Sequence, residues 1–335
     1  MQIFGTNFNF SNEIEPNGKV YTNKDGDEAI IDYSNQKERM QGSIKRIVDG
    51  SCYAIEKCKS GHFWKVFDCL SFETNTFQNV PEPNSFHSED DDIEDEEDDD
   101  GSIVTYSVMI YYTPEFAAVT SDIEGWVDLV LDEANQGYEN SQIPVRVEKF
   151  CIEEASIGDD DSTLENFTVM KGTAALTRKS ADAAVLFSKD SPIGESYCGI
   201  AWVLNNPYWF GEWSFSVTRK DCAIGYYTFG HELGHNFGCQ HNIEQDVNSV
   251  YAYGHGHLIA AGNGVEGSTT ILAYTTYGHL TRANYYSNPD MIYPPTGTPL
   301  GVVGVSNNVK VITDVRIAFA AVGDESGTCL NPGKC

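Results

Sequence analysis

Apolar positions in the second part of the chain alternate between the period of a strand and the period of a helix. Segments rich in β-branched and aromatic residues predict strands. These are residues 102–113, 143–152, 181–189 and the short edge strand 198–203 (CGIAWV). Helical spacing predicts helices at residues 122–139 and 163–178. This order indicates an α/β (α+β) fold, and the Gly-, Tyr- and Asn-rich region from Asn242 onward predicts an irregular lower half.

A second ordered region precedes this one. Residues 42–72 alternate apolar and polar positions around glycine-containing breaks, which predicts a small β-rich module. Between the two regions, residues 89–100 (EDDDIEDEEDDD) hold 11 acids among 12 residues. Like charges at this density repel one another and stay solvated, so the run predicts a linker. The predicted organisation is a β-rich segment over residues 1–88, a linker over 89–100 and a main domain over 101–335.

Composition narrows the classes of function. The chain has 335 residues, a net charge of −29 and 9 cysteines, and the cysteines favour an oxidising, extracellular compartment. It has no basic stripe, so the sequence predicts no nucleic-acid partner. It has no run of about 18 apolar residues, so it predicts no membrane span. Residues 1–20 lack the pattern of a secretory signal, so, if the protein is secreted, we expect that its signal was removed or replaced before this numbering begins.

The clearest chemical signal is GHELGHNFGCQHN, residues 230–242. His231 and His235 are four positions apart on a predicted helix, so both imidazoles lie on one face and can bind one ion. Gly238 lets the chain leave the helix, and His241 then returns as a third nitrogen ligand. Three imidazoles with one open position are the arrangement of catalytic zinc. Glu232 lies beside the first ligand, in the position of a general base for a zinc-activated water.

This stretch matches the H-E-x-x-H-x-x-G-x-x-H signature of the metzincin zinc endopeptidases, and residues 226–242 most resemble the reprolysin (adamalysin-like) branch. CGIAWV before the helix and TTILAY and YYSNPD after it fit the same branch. The resemblance covers roughly residues 102–322. It implies a twisted mixed sheet, a long zinc helix, Zn²⁺ as cofactor and hydrolysis of internal peptide bonds in protein or peptide substrates.

The resemblance also assigns residues around the zinc helix. Leu272 stands where the family carries a methionine in a tight turn beneath the zinc, and its similar volume keeps a packing role there. Tyr274 matches a tyrosine that some metzincins bring near the zinc; a turn tyrosine packed on the core is the alternative. Substrate is expected to lie extended along the edge strand near Gly199, Ile200 and Ala201, because main-chain pairing holds any peptide.

Arg282 is the only Lys or Arg between Lys220 and Lys310. In proteins that this chain resembles, the stretch containing it walls the pocket for the side chain just after the cut bond. A guanidinium there predicts a preference for Asp or Glu at that position. The alternative is that Arg282 points away from the cleft and pairs with Asp290 or another surface acid.

The division of the cysteines indicates a regulatory role for the first segment. Six follow the linker and can form three disulfides, whereas three precede it and leave one over: Cys52, Cys58 and Cys69. We expect residues 1–88 to be a pro-region that folds over the cleft as an intramolecular inhibitor, with Cys58 the candidate thiolate on the open zinc position. A free buried thiol or an interdomain bridge is the alternative use of an unpaired cysteine.

Two rival functions remain open from the sequence. The first is a non-catalytic zinc-binding extracellular matrix or binding protein on the same fold, against which the intact Glu232 argues. The second is an acidic, calcium-responsive binding protein, which would make Ca²⁺ a second cofactor and rests on the linker alone.

Overall fold

The structure is a computed structural model that describes residues 101–192, 197–204, 210–245, 247, 249–274 and 281–323, and only the backbone of eight strands ahead of residue 101. Those strands are β1 (Gln2–Ile3), β2 (Thr6–Asn7), β3 (Lys19–Thr22), β4 (Glu28–Ser34), β5 (Arg39–Lys45), β6 (Ser51–Cys58), β7 (Gly61–Asp68) and β8 (Gln78–Asn79). Strands β3 to β7 pair in sequence order as an antiparallel sheet. This sheet lies within residues 1–88, the segment for which a β-rich module is predicted.

The main sheet contains five strands from the second region: β9 (Val104–Tyr112), β10 (Val145–Glu154), β11 (Ala183–Ser188), β12 (Gly199–Val203) and β13 (Phe215–Arg219). Its order is β10-β9-β11-β13-β12-β8. The first four strands are parallel to one another, and β12 runs antiparallel to β13. Beyond β12, the two residues of β8 pair with Trp202 and Val203. The predicted edge strand is therefore the last strand of the second region, with part of the first region beside it.

Helices cover the sheet and complete the second region. They are α1 (Pro114–Val119), α2 (Ile123–Ser141), α3 (Leu164–Thr168), α4 (Ala174–Arg178), α5 (Phe210–Trp213), α6 (Lys220–Ala223), α7 (Thr228–Asn236) and α8 (Asn308–Ala320), with a 3-10 turn at Asp159–Asp161. Every residue of β11 is buried, as expected for a parallel strand covered on both faces. Short strands lie between α7 and α8: β14 (Leu258–Ile259), β15 (Ser268–Thr269), β16 (Thr281–Arg282), β17 (Asn288–Tyr293) and β18 (Thr298–Leu300).

Three features of the fold differ from the sequence prediction. The single helix predicted over residues 163–178 is two short helices, because Gly172 adopts φ +98° and Thr173 then caps α4 through its side chain. Strand β13 was missed, although it lies centrally between β11 and β12. The region after Asn242 is not wholly irregular, because it ends in the 13-residue helix α8.

The cysteines after the linker do not form three disulfides among themselves. Cys198 and Cys222 are bonded to each other, and Cys151 is also disulfide-bonded. Cys239, however, is a buried free thiol whose Sγ lies 3.8 Å from the carbonyl oxygen of Asn308. The prediction of three disulfides among the six cysteines after the linker is therefore wrong. The described residues do not include the side chains of Cys52, Cys58 and Cys69. They also do not include the linker 89–100, on which the alternative calcium role rests.

Within the part of the chain that the structure describes, no helix combines the length and apolarity needed to cross a bilayer.

Candidate active site

Helix α7 carries the histidine motif and is buried along its whole length of nine residues. Asn236 at its end donates two hydrogen bonds through Nδ2, to the carbonyl oxygens of Trp202 and Phe215 at 3.0 and 3.1 Å, which tie the helix to β12 and β13. Two residues later, Gly238 adopts φ +96°, a conformation that glycine takes without strain. The chain therefore leaves the helix where the sequence predicted, and His241 returns toward it.

The three histidine side chains meet at their Nε2 atoms. The separations are 3.1 Å between His231 and His235, 3.0 Å between His235 and His241, and 3.2 Å between His231 and His241. Three nitrogens that each lie about 2.0–2.1 Å from one zinc ion would be about 3.3 Å apart in tetrahedral geometry. The observed triangle is close to that size. Among the described residues, these three histidines are the group that could hold a metal ion.

Hydrogen bonds at the Nδ1 atoms determine which nitrogen carries the proton in two of these imidazoles. Nδ1 of His231 lies 2.7 Å from the carbonyl oxygen of Ile271, and Nδ1 of His235 lies 2.8 Å from that of Cys239. A carbonyl oxygen only accepts, so both Nδ1 atoms carry the proton and both Nε2 atoms present lone pairs to the centre. Lone pairs that face one another at this distance repel unless a cation lies between them, so the donor set fits zinc.

Burial sets the charge of the site. It is the main reason that the pKa values of His231 and His241 lie well below the ordinary value and that the pKa of His235 falls to about 4. Neutral imidazole is the form that binds a metal. Burial also raises the pKa of Glu232 well above its usual range, and the positive charge of Arg282 opposes that rise. The site is therefore a buried cluster of neutral nitrogen ligands and one carboxyl group.

Glu232 lies against the edge strand. A Cβ atom built on Gly199 would stand 2.4 Å from Oε1 of Glu232, closer than side-chain atoms approach one another. Glycine at the first position of β12 is what leaves room for this carboxylate. Oε1 is buried and has no hydrogen-bond partner among the described residues. Gly199, Ile200 and Ala201 pair with β13 on one side and bring the strand's main chain beside the carboxylate.

Leu272 and Tyr274 flank the histidine cluster from the turn that follows β15. Leu272 is fully buried, and its Cδ2 would lie 2.7 Å from a Cβ on Gly234, so it packs directly on α7. The adjacent carbonyl of Ile271 holds His231, which makes this turn part of the site. The half-buried Tyr274 places its ring 4.0 Å from the ring of His241, centroid to centroid. Leu272 therefore packs against the helix that carries the histidine motif.

Arg282 is buried, with 2% of its surface exposed, whereas Asp290 is exposed at the surface. The alternative that Arg282 pairs with Asp290 or another surface acid is therefore wrong. Its Nη1 donates to the carbonyl oxygen of Tyr226 at 3.0 Å, and its guanidinium lies 4.3 Å from the centre of the Tyr226 ring. Tyr226 immediately precedes the N-cap of α7, so the arginine is held at the start of that helix.

Sequence reasoning missed His255. Its Nδ1 donates to the backbone carbonyl of His241 at 2.9 Å, and its own backbone carbonyl accepts from Ser287. His255 thus fixes the main chain that carries the third histidine. No spacing rule identifies it, because 14 residues separate it from its partner.

Comparison with known proteins assigns the family. The family profile Reprolysin_5, described as metallo-peptidase family M12, matches residues 104–287, which contain the complete histidine cluster and Glu232. The chain belongs to metallo-peptidase family M12. Zinc is the cofactor that this family implies, and His231, His235 and His241 are the residues that could bind it.

Two bacterial relatives of this M12 peptidase are named peptidyl-Asp metalloendopeptidase. The protein from Stenotrophomonas maltophilia (strain K279a) is 30% identical over 298 residues, which cover 85% of this chain and 68% of that protein. The protein from strain R551-3 is 28% identical over 297 residues, which cover 84% and 67%. The matches of 297 and 298 residues are longer than the 235 residues from 101 to 335. Both matches therefore extend into the segment ahead of residue 101.

A solved chain from "Structure of a chaperone-substrate complex" has a similar fold. Its TM-score is 0.50 at 16% identity, and the match covers 89% of this chain but 46% of that chain. At this identity the likeness concerns the fold alone. The family match and the two relatives named peptidyl-Asp metalloendopeptidase together make the chain a zinc metalloendopeptidase.

Proposed function

We propose that His231, His235 and His241 hold the catalytic zinc of this endopeptidase and that Glu232 is its general base. The observation that carries this is the triangle of Nε2 atoms, 3.0–3.2 Å on each side, next to a buried carboxylate with an unpartnered oxygen. Three protein ligands leave one position of a zinc ion open, as catalytic sites require and structural sites do not. When bound, zinc supplies Lewis acidity for water and for the scissile carbonyl.

Glu232 moves the proton. Its carboxylate accepts a proton from the attacking water as the water oxygen bonds to the carbonyl carbon. It then delivers that proton to the leaving nitrogen as the C–N bond breaks, so the base returns to its starting state. The surrounding burial excludes bulk water from the carboxylate and strengthens its interaction with the reacting groups.

The edge strand positions the substrate in this proposal. An extended peptide that pairs with the main chain of Gly199, Ile200 and Ala201 would bring its scissile bond alongside Glu232, which contacts the same strand. Tyr274, whose ring lies 4.0 Å from the ring of His241, would line the other side of the reacting carbonyl.

The relatives supply the substrate class. Both matched proteins from Stenotrophomonas maltophilia are named for action at a peptidyl-Asp bond. We extend that preference to this chain, so its substrates are proteins and peptides cut at aspartate.

We also propose that the segment ahead of the linker keeps the enzyme latent. Strand β8 pairs with Trp202 and Val203, which directly continue the strand proposed to hold substrate. This pairing supports an inhibitor role for residues 1–88, whether or not Cys58 ligates zinc.

The Cys198–Cys222 disulfide supports an oxidising compartment and, with it, secretion.

The rival is a zinc-binding protein on the same fold that does not cut peptides. Zinc content by mass spectrometry and cleavage of a denatured protein, each with and without a chelator, separate the two. The proposal requires bound zinc and cleavage that stops when the chelator is added. Zinc without cleavage, in a chain cut at the linker, would favour the rival.

A further inference from the structure

Arg282 is a buried cation without a counter-ion among the described residues. Its partners within the described residues are two backbone carbonyl oxygens, of Tyr226 at 3.0 Å and of Ala273 at 3.5 Å, and the face of the Tyr226 ring. Its Nε is buried and has no hydrogen-bond partner. A guanidinium has five N–H donors, so most of its capacity is unused. Burial of an unpaired charge is costly, which makes this arrangement one that needs an explanation.

The buried acid Glu133 forms no ion pair with it among the described residues. Both carboxylate oxygens of Glu133 accept from the backbone N–H of Gly225, at 2.8 and 3.0 Å. No salt bridge joins Glu133, or another carboxylate in the described ranges, to Arg282. Glu133 instead fixes the turn that carries Tyr226, and so it fixes the carbonyl on which Arg282 rests.

The position of Arg282 relates it to the reacting centre. Its two carbonyl partners come from the residue before the N-cap of α7 and from the turn beneath α7, between Leu272 and Tyr274. Its charge also acts electrostatically on His231 and Glu232. The guanidinium is therefore held between the residue before the N-cap of α7 and the turn beneath α7, the helix that carries His231 and Glu232.

We propose that Arg282 is the specificity-determining residue of this peptidase and that the aspartate side chain of the substrate is its missing counter-ion. The carboxylate would bind the Nε edge of the guanidinium in the pocket for the residue just after the cut bond. This inference rests on the proposed function, since it names the side chain that recognises the aspartate of the substrate. A buried charge-assisted pair of this kind is stronger than a neutral hydrogen bond.

Tyr226 is the positioning residue for Arg282. Its backbone carbonyl and ring hold the guanidinium from two directions, so the charged group stays at one depth in the cleft. A fixed depth distinguishes aspartate from glutamate, whose carboxylate reaches one methylene further. We therefore expect Asp to be preferred over Glu at this position by about tenfold or more.

The test compares the linker-cut wild type with Arg282→Ala and Arg282→Lys on four peptides that differ only at the residue after the cut bond: Asp, Asn, Glu or Ala. The wild type should cleave the Asp peptide about ten- to a hundredfold faster than the isosteric Asn peptide, in kcat/KM. Arg282→Ala should bring the Asp-to-Asn ratio of kcat/KM close to one, because neither side chain then has a guanidinium to bind. Arg282→Lys should keep part of the ratio, because the charge remains without the planar fork.

A matched control removes another buried guanidinium. Arg316 in α8 is 4% exposed and donates to the carbonyl oxygen of Thr313, and Arg316→Ala should leave the Asp-to-Asn ratio unchanged. Tyr226→Phe keeps the ring and should keep the ratio, whereas Tyr226→Leu should lower it. Zinc content and the melting temperature of each variant report whether it is folded.

The wild type alone supplies a measurement that does not depend on folding of a variant. A buried pair is weakly screened, so the Asp-to-Asn ratio should change less than about threefold between roughly 0.05 and 0.5 M salt. The role of Arg282 is overturned if the Asp-to-Asn ratio falls by much more than about threefold in high salt. It is also overturned if Arg282→Ala lowers kcat/KM equally on the Asp and Asn peptides. Either result leaves the proposed function intact. A wild type that cuts all four peptides alike refutes aspartate selection, and one that cuts none refutes the peptidase itself.

Discussion

Gly199 of the edge strand and Glu232 of the histidine helix are in direct contact, and a Cβ on Gly199 would lie 2.4 Å from Oε1 of Glu232. The strand proposed to hold the substrate and the proposed base are therefore positioned by the same close approach. No side chain larger than a hydrogen atom fits between them without a movement of the carboxylate.

We predict that Gly199→Ala displaces Glu232 and lowers kcat/KM by at least about tenfold, because general-base catalysis depends on the position of the carboxylate. Zinc content should stay unchanged, since the three atoms nearest to that Cβ belong to Glu232 and Thr228 and not to a histidine. Gly158→Ala is the matched control: its Cβ would also meet a glutamate, Glu115 at 3.0 Å, but away from the histidines. Equal activity of Gly199→Ala and wild type would show that the contact does not position the base.

Leu272 should tolerate the methionine that the family carries at this turn. Leu272→Met is expected to change the free energy of unfolding by less than about 1.5 kcal/mol and to retain zinc, because the two side chains have similar volume. Leu272→Ala should cost about 2–5 kcal/mol through the cavity left beneath Gly234. Denaturant unfolding with zinc present measures both, and a neutral Leu272→Ala would contradict the packing role.

Metal removal should destabilise the protein. Without a cation, the lone pairs of the three Nε2 atoms face one another at 3.0–3.2 Å in a buried site. Free zinc at about a hundredfold above its Kd should contribute about 2.7 kcal/mol to stability, measured as a lower melting temperature after chelation. His231→Ala should show no chelator effect. A wild-type melting temperature that changes with neither chelator nor zinc would argue against a metal ion between the three Nε2 atoms.

Latency predicts that a cut within residues 89–100 raises activity by about tenfold or more, because β8 would no longer be held beside Trp202 and Val203 by an intact chain. Peptide hydrolysis before and after limited proteolysis measures this rise. Cys58→Ser tests the thiol separately: if Cys58 ligates zinc in the latent form, the uncut variant is active. Full activity of the uncut wild type would exclude latency in any form.

Sequence alone could predict the zinc helix and its chemistry, because those residues act through short spacings. His231, Glu232, His235 and His241 lie within 11 residues, and helix geometry with one glycine exit brings them together. The strands β9, β10, β11 and β12 were found for a similar reason, since each is a local run of β-branched and aromatic residues.

The rest depends on contacts that span long stretches of chain. The carbonyl of Ile271 holds His231 across 40 residues, and the carbonyl of Tyr226 holds Arg282 across 56, so no local pattern encodes either bond. Helix α8 was missed because its β-branched residues have weak helix propensity, and it forms where Phe319 stacks on Phe237 at 4.0 Å.

The central claim, that Glu232 is a base and not a ligand, is tested most directly by Glu232→Gln in the linker-cut enzyme. Zinc per chain and the rate of peptide hydrolysis are measured on the same sample. We predict wild-type zinc content with hydrolysis lowered at least about a hundredfold, because the amide cannot accept the proton of the attacking water. Near wild-type turnover in a zinc-loaded Glu232→Gln variant would contradict the account.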